Sequence, residues 1–293
     1  MFFASRWSLR HDTIGMTEHR HEGTMKLTVL GNNGPYPAPG GACSGYLLQH
    51  DGACVVLDLG SGALANLMAA IDGDVELIDA VILSHHHSDH TSDISVLRYA
   101  LEKLKKNSSV GKDGKPIRLP VYCPPAPERE FSTLKSYTQF EVTALGEDSS
   151  FAIRGLSFSF APMTHSVPAF AICAECGGAP PNRCKLVYTG DTAWDPRILQ
   201  FAEGADALVA DACLLSRDKQ PGKAILHMTA DECGIAAAEA NAKRLLLTHF
   251  TPGSNVARHV AEARAGVQKV SGRTDRISVE PTKLMATYEI TSP

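Results

Sequence analysis

The run Ser84-His85-His86-His87-Ser88-Asp89-His90 places four imidazoles and a carboxylate within seven positions. It follows Ala80-Val81-Ile82-Leu83, an apolar, β-branched segment that reads as a buried strand. Imidazoles and carboxylates desolvated in the turn after such a strand are costly unless something partners them. A metal ion does so, because imidazole nitrogen and carboxylate oxygen are ligands for Zn²⁺ and its first-row neighbours. The spacing His-x-His-x-Asp-His is far more specific than a lone His-x-His. A metal site is therefore the first expectation, set against a solvated His-rich loop.

One turn cannot complete the coordination. Three further residues each trail an apolar strand: His165 after Phe158-Ser159-Phe160-Ala161-Pro162-Met163-Thr164, Asp191 after Leu186-Val187-Tyr188-Thr189-Gly190, and His249 after Leu245-Leu246-Leu247-Thr248. A single His at a strand end is commonly a satisfied polar residue. Three such cases, all trailing strands like the first motif, point to one shared sheet edge.

The elements that must position them alternate along the chain. Strands are expected at 25–30, 44–50, 53–58, 79–83, 118–122, 151–154, 156–161, 168–174, 185–189, 206–210, 244–248 and in pieces over 276–290. Helices are expected at 62–71, 92–105, 127–137, 195–203, 229–241 and 254–269. This order fits an α/β sandwich, two sheets packed together with helices outside.

Composition agrees. With 44% hydrophobic and 20% charged residues, the 293-residue chain reads as an ordinary globular protein whose main domain runs from 25 to 293. No apolar run approaches the roughly 20 residues that span a bilayer, so no membrane partner is expected. A net charge of −4 carries no basic footprint for long nucleic acid. Residues 1–24 read as an N-terminal extension, disordered or with a helical start, and lack the apolar run of a secretory signal. Eight scattered cysteines without such a signal imply a reducing, cytoplasmic setting. Cys173, Cys176 and Cys184 could form a zinc knuckle, but without a matched second pair they read better as a hairpin turning at Gly177-Gly178 and Pro180-Pro181. Two segments keep two readings each. Gly31 to Gly41 is a surface connection or a loop bordering the site. The basic stretch from Lys103 to Arg118 is a solvated helix end or an anion-attracting flap.

The order His-x-His-x-Asp-His, His, Thr-Gly-Asp-Thr, Leu-Thr-His resembles the metallo-β-lactamase-fold hydrolases, and within them the ribonuclease Z-like phosphodiesterase branch. Thr164-His165-Ser166-Val167-Pro168-Ala169-Phe170, His227-Met228-Thr229-Ala230 and Ser44-Gly45-Tyr46-Leu47-Leu48 add to the likeness, which covers about residues 25–290. The resemblance implies an αββα sandwich of two mixed sheets and a two-metal centre. His85, His87 and His165 would hold one ion, Asp89, His90 and His249 the other, with Asp191 bridging; His86 matches no ligand position. Zinc suits this shell, with manganese or iron as alternatives. Two ions about 3.5–4 Å apart would activate a bridging hydroxide. Asp89 would orient it or accept its proton, His227 would stabilise the phosphate or protonate the leaving alkoxide, and Asp211 would assist. That branch commonly carries Glu at the position of Asp211, so the shorter side chain is expected to weaken this contact. The competing role for His227 is that of a neighbour of the Thr229 helix cap.

The tRNA-processing members usually carry a long basic arm. In the commoner short forms it lies between the positions of His165 and Asp191, where this chain has only Arg183 and Lys185 as basic residues. Phosphate neutralisation drives nucleic-acid affinity, so the expected substrate is a small phosphodiester such as a cyclic nucleotide or short oligonucleotide. A homodimer is expected from the same branch. The alternatives are a thioester or lactone hydrolase on the same fold, a tRNA 3′-processing endonuclease, and a degenerate paralogue that binds without turnover.

Overall fold

The computed structural model describes residues 23–105, 118–178, 182–219, 222, 225–270 and 277–292. Strands β1 (Thr24–Gly31), β2 (Gly45–His50) and β3 (Ala53–Leu59) lead into helix α1 (Ala63–Ala70), then β4 (Ala80–Ile82), the single turn α2 (Ser88–Thr91) and α3 (Ile94–Lys105). Next come β5 (Leu119–Cys123), α4 (Glu128–Ser136), β6 (Phe140–Ala144), β7 (Ser150–Ile153), β8 (Leu156–Met163), β9 (Ala169–Cys176) and β10 (Cys184–Tyr188). The chain continues through α5 (Arg197–Phe201), β11 (Ala207–Asp211), α6 (Ala230–Glu239), β12 (Arg244–Thr248), α7 (Val256–Lys269), β13 (Ser278–Pro281) and β14 (Thr287–Thr291).

The strands make two seven-stranded sheets, ordered β14-β1-β2-β3-β4-β5-β6 and β13-β12-β11-β10-β9-β8-β7. In the first, β14 through β3 pair antiparallel and β3 through β6 parallel. The second repeats the plan, with β7 through β10 antiparallel and β10 through β13 parallel. Parallel pairing needs crossovers, and the crossover helices cover the outer faces.

Side-chain alternation assigns residues to three cores. Leu27, Val29, Leu48, Val55 and Leu57 meet Phe158, Ile172, Leu186 and Val209 between the sheets. Their neighbours Leu30, Leu47, Val56 and Leu59 pack outward with Leu67 of α1 and Leu97 of α3. On the far side Val187, Leu208, Leu245 and Leu247 pack with Cys233 and Ala237 of α6 and Ala263 of α7. The result is the expected four-layer αββα sandwich.

Three details differ from the sequence reading or refine it. Strand β6 has no counterpart among the expected strands; at the sheet edge only Phe140 of its five residues is buried, so no alternating apolar pattern marks it. Thr24 already pairs with Thr291, so β1 begins inside the segment assigned to the extension. The rest of that extension lies outside the described residues, as do the interior of the basic stretch at 106–117 and the turn at 179–181. Cys173 joins the helix-covered core, whereas Cys176 and Cys184, directly opposite one another in β9 and β10, face the inter-sheet core. Residues three apart on a strand point to opposite faces, so these cysteines form no knuckle and the hairpin stands. No helix among the described residues is long and apolar enough to cross a membrane.

Candidate metal centre

Strand ends from both sheets converge on one edge. The loop and turn after β4 carry His85, His87, Asp89 and His90; residues just beyond β8, β10 and β12 carry His165, Asp191 and His249. Ligand atoms of His85, His87, His165 and Asp191 all lie within 4.8 Å of one another, and so do those of Asp89, His90, Asp191 and His249. Asp191 belongs to both groups. Its Oδ1 is 3.2 Å from His90 Nε2, and its Oδ2 is 3.2 Å from His249 Nε2 and 3.8 Å from His85 Nε2. All seven residues that the resemblance assigns to the metals are thus brought together. His86 turns away, its Nε2 donating to the Pro124 carbonyl at 2.7 Å.

The site fits two ions on its own chemistry. His85 Nε2 and His90 Nε2 are fully buried with no hydrogen-bond partner, which the interior rarely tolerates. Their opposite ring nitrogens are engaged, as those of metal-bound histidines usually are. His90 Nδ1–H donates to Asp58 Oδ2 at 2.7 Å. Ser84 Oγ donates to Asp58 Oδ2 at 2.7 Å and so can accept from His85 Nδ1 at 3.0 Å. His165 Nδ1–H donates to the Leu226 carbonyl at 2.9 Å, leaving Nε2 facing His87 Nδ1 at 3.1 Å.

Asp58 is the residue that sequence reasoning missed. Wholly buried, it also accepts from the Ser84 amide at 2.7 Å and the Tyr188 hydroxyl at 2.8 Å. Its only mark in the sequence is a lone acid in the run Cys54-Val55-Val56-Leu57-Asp58-Leu59. Both Asp58 (φ 55°) and His249 (φ 59°) adopt left-handed backbone, a conformation that costs free energy and concentrates at functional sites. The loop from Gly31 to Gly41 does border the site. Gly34 donates to the Phe250 carbonyl at 3.2 Å and Phe250 to that of Asn32 at 2.8 Å. A Cβ on Gly34 would fall 1.9 Å from His249 Nε2, so only glycine lets the loop lie there.

Charge separates the two groups. Burial and neighbouring imidazoles hold His85 well below the ordinary histidine range, and burial likewise lowers His87 and His165. Burial opposes charge on His90 too, but Asp191 and Asp58 outweigh it and push its pKa up to about 10. His249 is raised for the same reason, by Asp191 and Asp89. Without an ion, His90 therefore carries a proton at pH 7 that coordination must displace. Zinc uptake at pH 7 is expected to release protons, and the apparent affinity to climb with pH; calorimetry in buffers of different ionisation enthalpy measures both. Equal heats in all buffers would contradict this.

Next to the ligands, Asp211 Oδ2 accepts from His227 Nδ1 at 2.8 Å, and His227 Nδ1 lies 3.9 Å from Asp191 Oδ2. Short as it is, Asp211 is brought by β11 within hydrogen-bonding reach of His227. Thr229 donates its amide to Glu232 Oε2 at 3.0 Å at the start of α6. This cap anchors the loop that carries His227 and leaves its ring bonded to Asp211.

A family model described as a β-lactamase superfamily domain matches residues 55–250. The probable metallo-hydrolase YhfI of Bacillus subtilis is 33% identical over 226 residues, covering 77% of this chain and 87% of its own. Its crystal structure aligns with a TM-score of 0.75 at 29% identity, over 91% of this chain and 99% of YhfI. A ribonuclease Z of Ignicoccus hospitalis is 27% identical over 290 residues, covering 82% of this chain and 92% of that one. With its αββα layers and its strand-end clusters of His and Asp, the chain belongs to the β-lactamase superfamily, as a metallo-hydrolase of the metallo-β-lactamase fold.

Proposed function

We propose that this protein is a binuclear phosphodiesterase acting on a small diester, a cyclic nucleotide or a short oligonucleotide. His85, His87 and His165 would hold one divalent ion and Asp89, His90 and His249 the other, with Asp191 shared between them; zinc suits this mixed shell, with manganese or iron as alternatives. When bound, such a pair supplies Lewis acidity and lets water act as a nucleophile near neutral pH. The observation that carries the reading is the His227–Asp211 pair beside Asp191. Burial opposes charge on His227, but the Asp211 carboxylate outweighs it and raises the pKa to about 9. At pH 7 the ring holds a proton for a leaving group. An alkoxide leaving a phosphodiester needs that proton, whereas the thiolate leaving a thioester does not. Asp89, whose Oδ2 lies 3.2 Å from His249 Nε2, would orient the attacking water or take its proton.

The relative named ribonuclease Z supports phosphodiester chemistry. The short β9–β10 hairpin between His165 and Asp191 supports a small substrate, because gripping a long RNA requires many phosphate contacts. The test is a panel of bis(p-nitrophenyl) phosphate, cyclic nucleotides, a precursor tRNA, thioesters and β-lactams, run with and without added metal. Metal-dependent turnover of the small diesters is expected. Thioester turnover with untouched diesters would sink the reading, and precursor tRNA cut as fast as small diesters would overturn the substrate size.

His227→Ala is expected to lower kcat on a poor-leaving-group diester about 10²–10⁴-fold, the usual contribution of a general acid. In the wild type, activity should decline as pH rises through the His227 pKa, since the proton is lost there. That alkaline limb should vanish in His227→Ala and flatten for a p-nitrophenolate leaving group. A variant retaining the limb would assign it to another residue.

A further inference from the structure

The hydrolytic reading leaves one neighbour of His227 unused. Cys213 stands two residues past β11, its amide donating to Asp211 Oδ1 at 3.0 Å and its thiol 3.6 Å from Thr251 Oγ1. Ligand atoms of Asp211, Cys213, His227 and His249 all lie within 4.8 Å of one another, a third group beside the two already described. An independent observation points into it. His249 Nδ1 is buried with no hydrogen-bond partner, and Asp211 Oδ1 stands 3.6 Å away. That span is too long for a hydrogen bond. It suits two ligands on one tetrahedral ion, for which Zn–N near 2.0 Å and Zn–S near 2.3 Å imply ligand separations of about 3.3–3.8 Å.

We propose that Asp211, Cys213 and His227, with Nδ1 of His249 as the fourth donor, form a third metal site, selective for a thiophilic divalent ion such as Zn²⁺ and inhibitory when filled. One thiolate, one carboxylate and two imidazole nitrogens are a donor set that borderline-soft zinc accepts and that hard Mg²⁺ or Mn²⁺ does not favour. On binding, the Cys213 thiol, the His227 ring and His249 Nδ1 each give a proton to solvent. Thiolate and carboxylate then balance the ion's two charges, and the His249 ring, an imidazolate shared with the neighbouring ion, adds one further negative charge. Cys213 and His227 are only partly buried, which leaves the ion a route in. Filling the site occupies both Asp211 and His227, so the proton donor of the diesterase reaction is withdrawn. The binding claim stands on the geometry; the inhibition rests on the proposed function.

The test uses the full chain. Metal-free protein is titrated with Co²⁺ and, separately, equilibrated with excess Zn²⁺, desalted and analysed for metal. The wild type should hold three ions per chain and develop a thiolate-to-cobalt charge-transfer band after two equivalents. Cys213→Ser and Cys213→Ala should hold two ions and lack the band, with their circular dichroism unchanged. Excess zinc should inhibit the wild type at least about tenfold more strongly than either variant. Two ions in the wild type, or a band that survives in both variants, would overturn the site. If the band and the third ion depend on Cys213 but no diester is turned over, the site stands and the diesterase reading falls. If diesters are hydrolysed and zinc inhibits wild type and variants alike, the inhibitory role falls.

Discussion

Asp191→Ala is expected to lose both metal ions together and to lower metal-dependent turnover by at least about a thousandfold, because the nucleophile generated from water goes with them. Among the described residues, Asp191 is the one carboxylate within 4 Å of an imidazole from each group, His85 on one side and His90 and His249 on the other. Removing it also strips the buried counter-charge from His90 and His249. Elemental analysis of the purified variant is the direct measurement. Retention of a full complement would show that each trio of remaining residues suffices and that Asp191 bridges nothing. Asp191→Asn keeps the shape while giving up the charge. If the anionic bridge matters more than the contact, it should behave nearly as badly as the alanine variant.

The second large effect is expected at Asp58, which touches no ion in the proposed arrangement. Four donors converge on it: the Ser84 amide and hydroxyl, His90 Nδ1 and the Tyr188 hydroxyl. Asp58→Ala leaves them without an acceptor in a dry interior. Breaking such a network costs about 3–5 kcal/mol, enough to threaten a fold of ordinary stability. Asp58→Asn is the more informative change. Asparagine tolerates the left-handed backbone, but its amide turns two donors toward groups that are themselves donors. Metal affinity is expected to fall about 10–100-fold, the usual consequence of losing the partner of a ligating histidine, while thermal unfolding shifts less than in the alanine variant. Competition with a chelator measures the affinity. An Asn variant that binds metal like the wild type would reduce Asp58 to a folding role.

These two residues also show what was legible in the sequence. Asp191 sits in a motif whose spacing follows from its place at a strand end, and the strand is announced by its own apolar run. The remaining ligands were readable for the same reason, as were most of the strands, whose faces are buried on both sides. Asp58 ends an equally apolar strand, but its partners lie 26, 32 and 130 positions away, and no local spacing encodes them. Strand β6 escaped because an edge strand with one buried residue leaves no periodic trace. Cys213, followed by Leu214 and Leu215, carries no motif that marks it as a ligand. Only the docking of β11 against β12 turns it toward His227 and His249.

The pairing of β14 with β1 carries a consequence for how the molecule is made. Thr24 lies opposite Thr291 and Thr28 opposite Thr287, so the edge of β1 that β14 covers waits for its partner until more than 250 further residues have emerged from the ribosome. Contacts of such sequence separation form slowly, and a bare edge strand is a template for pairing with other chains. Strand β14 therefore serves as a late closure of the first sheet, and a nascent chain stopped before Thr287 would expose an adhesive edge beside a completed ligand cluster.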